Sequence, residues 1–91
     1  MYSVRYTASF QRDVERCKRK GLNLDSLWSV IELLTEDGQL SAEHSPHRLK
    51  GRYVGCWECH IDGDWLLIWR QDNNQLTLLF TNTGTHQELF Q

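Results

Sequence analysis

The chain has 91 residues, of which 40% are hydrophobic and 24% charged, with a formal net charge of −2. It is long enough for one small hydrophobic core, and its longest apolar run, residues 65–69, is far too short to span a bilayer. Three cysteines without a recognisable N-terminal export signal indicate reduced thiols, so we expect a cytoplasmic protein with one domain over residues 1–91.

The charged residues occur in blocks along the chain. Residues 1–20 contain six basic and two acidic residues, residues 21–47 contain five acidic residues and no lysine or arginine, and residues 48–52 contain three basic residues. The net charge by itself argues against a nucleic-acid-binding protein, but blocks this local allow one basic face. The alternative for residues 16–20 is a solvated helix end, where the helix dipole favours cations.

The N-terminal half predicts one strand followed by two helices. Residues 2–6 alternate between apolar and polar side chains, as in a half-buried strand. The next segment carries apolar residues at helical spacing. A second helix is predicted over residues 24–37, with one apolar face, Asn23 or Asp25 near its start and Gly38 after its end.

The C-terminal half predicts an antiparallel meander and a terminal helical turn. Four strands are predicted, over residues 48–53, 54–61, 65–70 and 75–81. Turns are predicted at residues 62–63 and 72–74. Thr85 and Glu88 have the spacing of a capping box, which predicts a short C-terminal helix. The order β-α-α-β-β-β-β, with both helices on one face of an antiparallel sheet, is an α+β fold.

Residues 56–60, CWECH, match the C-x-x-C-H pattern of covalent haem attachment. Alternate side chains of a strand point to opposite faces, so Cys56 and Cys59 are directed apart and cannot reach one haem edge or one zinc ion. A zinc site would also need a second close pair of ligands, and the chain has no second C-x-x-C pair. We therefore expect no metal and no cofactor, and only His60 of this segment remains a candidate for chemistry.

Four polar residues stand at the ends of predicted elements, where functional side chains are often mounted: His47, His60, Asp64 and His86. Imidazole groups suit proton transfer near neutral pH, and Asp64 can meet His60 across the turn between their strands. Each residue also has a simpler interpretation when it is taken alone. The histidines are then surface residues, Asp64 a turn residue, Trp65 the start of a core strand, and Phe90 a docking residue for the C-terminal tail.

Taken together, these residues form a recognisable combination. The chain contains H-x-L-x-G at residues 47–51, H-x-x-x-D-W at residues 60–65 and T-G-T-H-x-x-L-F at residues 83–90. This combination, the length and the strand–helix–helix order resemble the YafQ branch of the RelE superfamily, whose members are bacterial toxins of type II toxin–antitoxin systems. The resemblance extends over the whole chain.

The resemblance implies an endoribonuclease, an mRNA interferase that inhibits translation by cutting mRNA in the ribosomal A site without a metal. Attack of a 2′-hydroxyl on the adjacent phosphate requires a base, an acid, and positive charge or hydrogen-bond donors around the phosphate. By resemblance, His47, His60, Asp64 and His86 correspond to the catalytic set of the family. Within this set we expect His47 to be the base and His86 the acid, although the sequence itself does not distinguish the two roles. His60 and Asp64 complete the catalytic set, where they position the phosphate or tune the pKa of a partner.

The resemblance also implies a set of residues that bind the substrate: Lys50, Arg52, Trp65, Asn82 and Phe90. Lys50 and Arg52 are expected to meet phosphate groups of the mRNA or of ribosomal RNA, and Trp65 and Phe90 to stack on or enclose a base. At the position of Asn82 the family pattern has an arginine. An amide donates hydrogen bonds but supplies no charge to the phosphate.

The implied partners are a cognate antitoxin, mRNA and the ribosome with its 16S rRNA. We expect no membrane contact, and contact with DNA only indirectly through the antitoxin. The alternative function is a catalytically weak or inactive binding module that pairs with an antitoxin for transcriptional autoregulation. The net charge of −2 and the missing arginine favour that alternative to some extent.

Overall fold

The chain folds as one strand, two helices, four strands and a short terminal helix. In the computed structural model, which describes all 91 residues, the strands are β1 (Ser3–Tyr6), β2 (His47–Arg48), β3 (Trp57–Asp62), β4 (Trp65–Asp72) and β5 (Thr77–Gly84). The helices are α1 (Ala8–Arg19), α2 (Leu24–Asp37) and α3 (His86–Phe90), and two 3-10 turns span Ala42–His44 and Gly51–Tyr53. The predicted α+β class is confirmed.

Side chains satisfy the free backbone groups at the start of both long helices. The Asn23 side chain accepts a hydrogen bond from the Asp25 N–H at 3.0 Å, and Thr7 accepts one from the Phe10 N–H at the same distance. Gly38 ends α2 in the left-handed conformation with a φ of 72°, so α2 has the predicted bounds. No helix in the chain combines the length and the apolar composition needed to cross a membrane.

The five strands form one sheet in the order β1-β5-β4-β3-β2. Strands β2 to β5 pair in antiparallel fashion, which confirms the predicted meander. β1 instead pairs with β5 in parallel, which corrects the expectation of an antiparallel sheet at this one edge. The alternation of polar and apolar residues defines the two faces of a strand but contains no information about the direction of its neighbour.

The basic segment predicted as a strand over residues 48–53 is mostly a turn. β2 contains only two residues, and the chain then forms the second 3-10 turn before β3 begins. Gly51 is the first residue of that turn, and Gly55 follows it. Their φ values of 64° and 89° are ones that glycine adopts without strain. Lys50 and Arg52 therefore lie on a turn segment rather than on a strand.

The sheet is covered on both faces, which explains the unbroken apolar run in β4. α1 and α2 pack on one face over a core of 12 buried residues that includes Phe10 and Trp69. α3 covers part of the opposite face, where Leu89 packs with Cys56 and Leu66. The predicted placement of both long helices on one face is confirmed.

Cys56 and Cys59 lie on opposite faces of the sheet, as predicted. Cys56 packs under α3, whereas Cys59 belongs to the core beneath α1 and α2. Both thiols are buried and free, and burial raises the pKa of Cys59 to about 12. A thiol with such a pKa stays protonated near neutral pH and is a poor nucleophile and metal ligand.

The last residues of β5 have no strand on one side, because β1 ends at Tyr6. α1 supplies the missing partners: the Asp13 carboxylate accepts from the Thr83 N–H at 3.0 Å, and Arg16 donates to the Thr83 carbonyl at 2.8 Å. Arg16 also pairs with Glu88 of α3 at 3.0 Å. α1 therefore fixes both the end of β5 and the helix that follows it.

Candidate active site

Three of the four catalytic candidates meet beside α3, where β3 and β5 end and β4 begins. His60 lies on β3, Asp64 lies in the turn before β4, and His86 is the first residue of α3. The ring centroids of His60 and His86 are 6.0 Å apart, and His86 contacts Asp64. Because Asp64 and His86 are 22 positions apart in the chain, the pairing of the strands is what brings them together.

Asp64 holds His86 through two contacts. Its Oδ1 atom accepts from the backbone N–H of His86 at 3.3 Å and also contacts Nδ1 of the imidazole. The side-chain hydrogen bond from His86 lowers the pKa of Asp64, so this carboxylate stays ionised over the range in which histidines titrate. The Nδ1 proton therefore points at Asp64, and Nε2 is left free for a substrate.

His60 has a similar arrangement with a backbone acceptor. Its Nδ1 lies 3.0 Å from the carbonyl oxygen of Gly63, in the turn between β3 and β4. A carbonyl can only accept, so Nδ1 is the protonated nitrogen. Nε2 of His60 is consequently the second free imidazole nitrogen near Asp64.

His47 approaches from the edge strand β2. The strand register pairs it with Glu58 of β3, and its Nε2 lies 3.2 Å from Glu58 Oε1. Its Nδ1 lies 3.0 Å from the carbonyl of Ser45. Both ring nitrogens of His47 therefore face oxygen atoms, one on Glu58 and one on Ser45. His60 follows Glu58 by two residues, so it lies on the same face of β3 and about 7 Å further along the strand.

Glu58 was not among the residues expected from the sequence. Its side chain is only 3% exposed, and its Oε2 atom has no hydrogen-bond partner. A buried carboxylate oxygen without a partner is unfavourable unless a nearby positive charge or proton compensates. Alternation along β3 does place Glu58 on the same face as His60, but its pairing with His47 depends on the β2–β3 register, which the sequence does not reveal.

α3 and the turn segment after β2 form a wall beside the histidines. Phe90 is 41% exposed, and its ring centroid lies 5.9 Å from that of His86 and 5.3 Å from that of Tyr53. Arg52 donates a hydrogen bond to the last turn of α3, and Lys50 is exposed on the same segment. Phe90 thus has the exposure that a base-stacking residue needs, and two cations lie on the adjoining segment.

Two of the residues expected at the substrate lie elsewhere. Trp65 is only 6% exposed, belongs to the core under α1 and α2, and donates from Nε1 to Thr83 Oγ1 at 2.9 Å. In this position Trp65 supports the core and offers no ring face to a base, which corrects its expected role. Asn82 directs its amide towards α1, where it donates to Asp13 at 3.2 Å.

A separate cleft of about 420 Å³ lies on the other face of the sheet, between the end of α2 and strands β2 to β4. Its aromatic floor is already occupied, because Trp57 stacks on Trp69 with ring centroids 6.3 Å apart and Arg48 lies 5.1 Å over the Trp57 ring. None of the histidines lines this cleft. The candidate catalytic residues therefore lie outside this cleft.

The sequence matches one protein family over nearly its whole length. Residues 2–91 fit the family described as YafQ, the bacterial toxin of a type II toxin–antitoxin system. The chain belongs to this YafQ family. The resemblance seen in the three motifs is thereby confirmed.

Relatives of known structure or activity support the same assignment. The mRNA interferase toxin YafQ of Escherichia coli K12 is 28% identical over 88 residues, which cover 96% of this chain and 94% of that protein. A chain in the crystal structure of the E. coli DinJ–YafQ complex superposes with a TM-score of 0.89 at 27% identity, covering 100% of both chains. The YafQ-like fold implied by the motifs is confirmed.

A metal-bound toxin from Helicobacter pylori also superposes, with a TM-score of 0.88 at 29% identity, covering 99% of this chain and 100% of that one. In the present YafQ-family chain, no three histidine, cysteine, aspartate or glutamate side chains are grouped so as to hold a metal ion. The residues present therefore do not form a ready metal site.

Proposed function

We propose that this YafQ-family toxin, an endoribonuclease of the mRNA interferase class, cuts mRNA by attack of a 2′-hydroxyl on the adjacent phosphate. The 2′-oxygen forms a bond to phosphorus while the bond from phosphorus to the 5′-oxygen breaks, which leaves a 2′,3′-cyclic phosphate. One proton moves from the 2′-hydroxyl to a base, and another moves from an acid to the 5′-oxygen. The observation that supports this proposal is the presence of two histidine–carboxylate pairs, His47–Glu58 and His86–Asp64.

His86 is assigned as the acid. Its Nδ1–H donates to Asp64, and an ionised carboxylate beside the ring stabilises an imidazolium. Nε2 then delivers its proton to the departing 5′-oxygen. His60, whose ring lies 6.0 Å from that of His86, donates from Nε2 to a non-bridging phosphate oxygen when it is protonated there.

His47 is assigned as the base. In its neutral form, Nε2–H donates to Glu58, and Nδ1 leaves the Ser45 carbonyl to accept the proton of the 2′-hydroxyl. Glu58 then stabilises the imidazolium that forms, in the way that a buried carboxylate supports a catalytic histidine elsewhere. Because Glu58 is buried, it keeps the His47 ring in place more firmly than a solvated carboxylate would.

Lys50 and Arg52 are assigned to the phosphate groups, and Phe90 to one base of the mRNA. The two cations lie on the segment that joins β2 to β3, and Phe90 stands exposed on the neighbouring helix. A net charge of −2 makes general attraction to RNA weak, so the substrate has to be positioned by something other than charge. We assign that role to the ribosome and its 16S rRNA, with the mRNA held in the A site.

Ribosome-bound mRNA is expected to be cut far faster than the same RNA free in solution, because the ribosome holds the phosphate and the 2′-hydroxyl in the reactive geometry. The toxin is first dialysed against EDTA and then assayed in Mg²⁺ buffer that keeps the ribosome assembled. Since histidines perform both proton transfers, dialysis should leave the rate unchanged. Rapid cutting of free RNA, or a loss restored by added Zn²⁺ or Cu²⁺, would contradict the mechanism.

We also infer a cognate antitoxin of acidic character, since a YafQ toxin of E. coli occurs in a complex with DinJ. In this chain Arg16 and Lys20 already pair with Glu88, whereas Lys18 and Arg19 are exposed on α1. These two free cations, together with the basic segment after β2, suit an acidic segment that folds as it binds. Contact with DNA would then be made through the antitoxin.

The complex with the antitoxin is expected to weaken as salt rises from about 0.1 M to about 1 M, because the exposed charges become screened. Lys18→Glu should weaken binding at low salt, as measured by isothermal titration calorimetry. Arg70→Glu, which makes the same type of charge change on an exposed residue of β4, serves as the control. Equal effects of the two substitutions would show that α1 is not the contact.

The alternative, a weak or inactive member that only binds its antitoxin, is favoured by one observation. The position of the family arginine is occupied by Asn82, whose amide is engaged by Asp13 and Ser9 of the first helical segment. Growth arrest when the chain is expressed without an antitoxin distinguishes the two functions. An inactive binding module would leave growth unaffected.

A further inference from the structure

α3, which carries His86, is too short to be stable alone. It has five residues, and isolated helices of that length do not persist in water. At its N-terminal end, Thr85 and Glu88 form a capping box, and Asp64 holds His86. Its C-terminal end needs a support of its own, and the turn Gly51–Tyr53 provides one.

Two donors of that turn converge on one carbonyl group. The Tyr53 hydroxyl and the Arg52 Nη2 atom each donate to the carbonyl oxygen of Leu89 at 2.9 Å. The Arg52 guanidinium lies 5.2 Å over the Tyr53 ring, and that ring meets Phe90 edge-on, with centroids 5.3 Å apart at 78°. Tyr53 therefore contacts α3 both at its backbone and at its aromatic side chain.

The turn is itself fixed to the sheet. The Cys56 N–H donates to the Tyr53 carbonyl at 3.0 Å, and the Leu49 N–H donates to the Cys56 carbonyl at 2.9 Å. Cys56 is 4% exposed and packs against Leu66 and Ile68 of β4. The Tyr53 hydroxyl is thus a donor that the sheet holds in place beside the short helix α3.

We propose that Tyr53 is a positioning residue, which acts through the Leu89 carbonyl to set the place of His86 and Phe90 relative to His47. The proposal rests on the function assigned above to His47 and His86. Residues 47–53 hold the base at one end and the support of α3 at the other, so one short segment fixes the separation of base and acid. A displacement of about 1 Å between reacting groups can lower a rate by about 10²-fold.

Tyr53→Phe removes the hydroxyl and keeps the ring. The single-turnover rate of ribosome-bound mRNA cleavage should fall by about tenfold or more, while affinity for the ribosome stays unchanged. Tyr2→Phe is the matched control, because its hydroxyl donates to Asn73 at 2.7 Å in the β4–β5 hairpin, at the opposite end of these strands. The two variants should have similar Tm values. A rate like that of the wild type, or an equal loss in Tyr2→Phe, would overturn the proposal.

NMR of the free protein provides a readout that does not depend on cleavage. The ring resonances of His86 and Phe90 should shift in Tyr53→Phe and remain in place in Tyr2→Phe. If the wild-type chain fails to cut ribosome-bound mRNA, the proposed function fails, and these resonances alone decide whether Tyr53 positions α3. Unchanged resonances of both rings in Tyr53→Phe would overturn the proposal whatever the cleavage rate.

Discussion

Replacing His86 by alanine is expected to lower the single-turnover rate of ribosome-bound mRNA cleavage by about 10²–10⁴-fold and to relieve growth arrest. The substitution removes the proposed proton donor, whose imidazole contacts Asp64. The side chain is 55% exposed, so its loss creates no core cavity, and the Tm should change little. His44→Ala, in the turn Ala42–His44, is the control, because His44 belongs to neither histidine–carboxylate pair and its loss should leave the rate unchanged.

A substrate with sulfur in place of the bridging 5′-oxygen separates acid catalysis from a loss of position. A thiolate leaves without a proton, so His86→Ala should lose much less activity on this substrate than on normal mRNA. His47→Ala should lose the same factor on both substrates, because the base acts on the 2′-hydroxyl. Equal losses for His86→Ala on both substrates would reverse or remove its role as acid. Continued growth arrest by both variants at matched expression would contradict the site itself.

Local signals in the sequence predicted those parts of the fold that depend on neighbouring residues. α2 has the predicted bounds because Asn23 caps its start and Gly38 caps its end, each through contacts within one turn. The capping box of Thr85 and Glu88 was readable for the same reason. The predicted length of β2 was too great, because Gly51 and Gly55 adopt a left-handed backbone conformation. A run of basic residues does not indicate that conformation.

The candidate site was predictable only as far as it depends on the ends of elements. His60, Asp64 and His86 come together because consecutive strands of a meander run back and forth, so that alternate turns lie at the same end of the sheet. Glu58 could not be chosen, because its role depends on the register between β2 and β3. Trp65 looked like a substrate residue in the motif, but alternation along β4 turns it into the core under the long helices.

The charge that stabilises the phosphate also depends on tertiary contacts. Asn82 stands where the resemblance implies an arginine, and its amide donates to Asp13 on α1. Lys50 is exposed on the segment next to α3. Arg52 lies beside it but also holds the Leu89 carbonyl, so only Lys50 tests charge without disturbing α3. We therefore expect Lys50 to have taken over the role of the missing arginine.

Lys50→Ala is expected to lower the single-turnover rate on ribosome-bound mRNA by about 10²–10³-fold, the usual effect of losing one preorganised donor at a developing charge. Asn82→Arg should change the rate little, because the new guanidinium would pair with Asp13 on α1 and would not reach the phosphate. Asp13 already forms an ion pair with Arg16. Lys18→Ala, an exposed lysine on α1, controls for the general loss of positive charge. A rise of about tenfold or more in Asn82→Arg would instead show that the chain is attenuated by its missing arginine. If neither Lys50→Ala nor Asn82→Arg alters the rate of an active protein, the phosphate does not bind between the turn segment and α3.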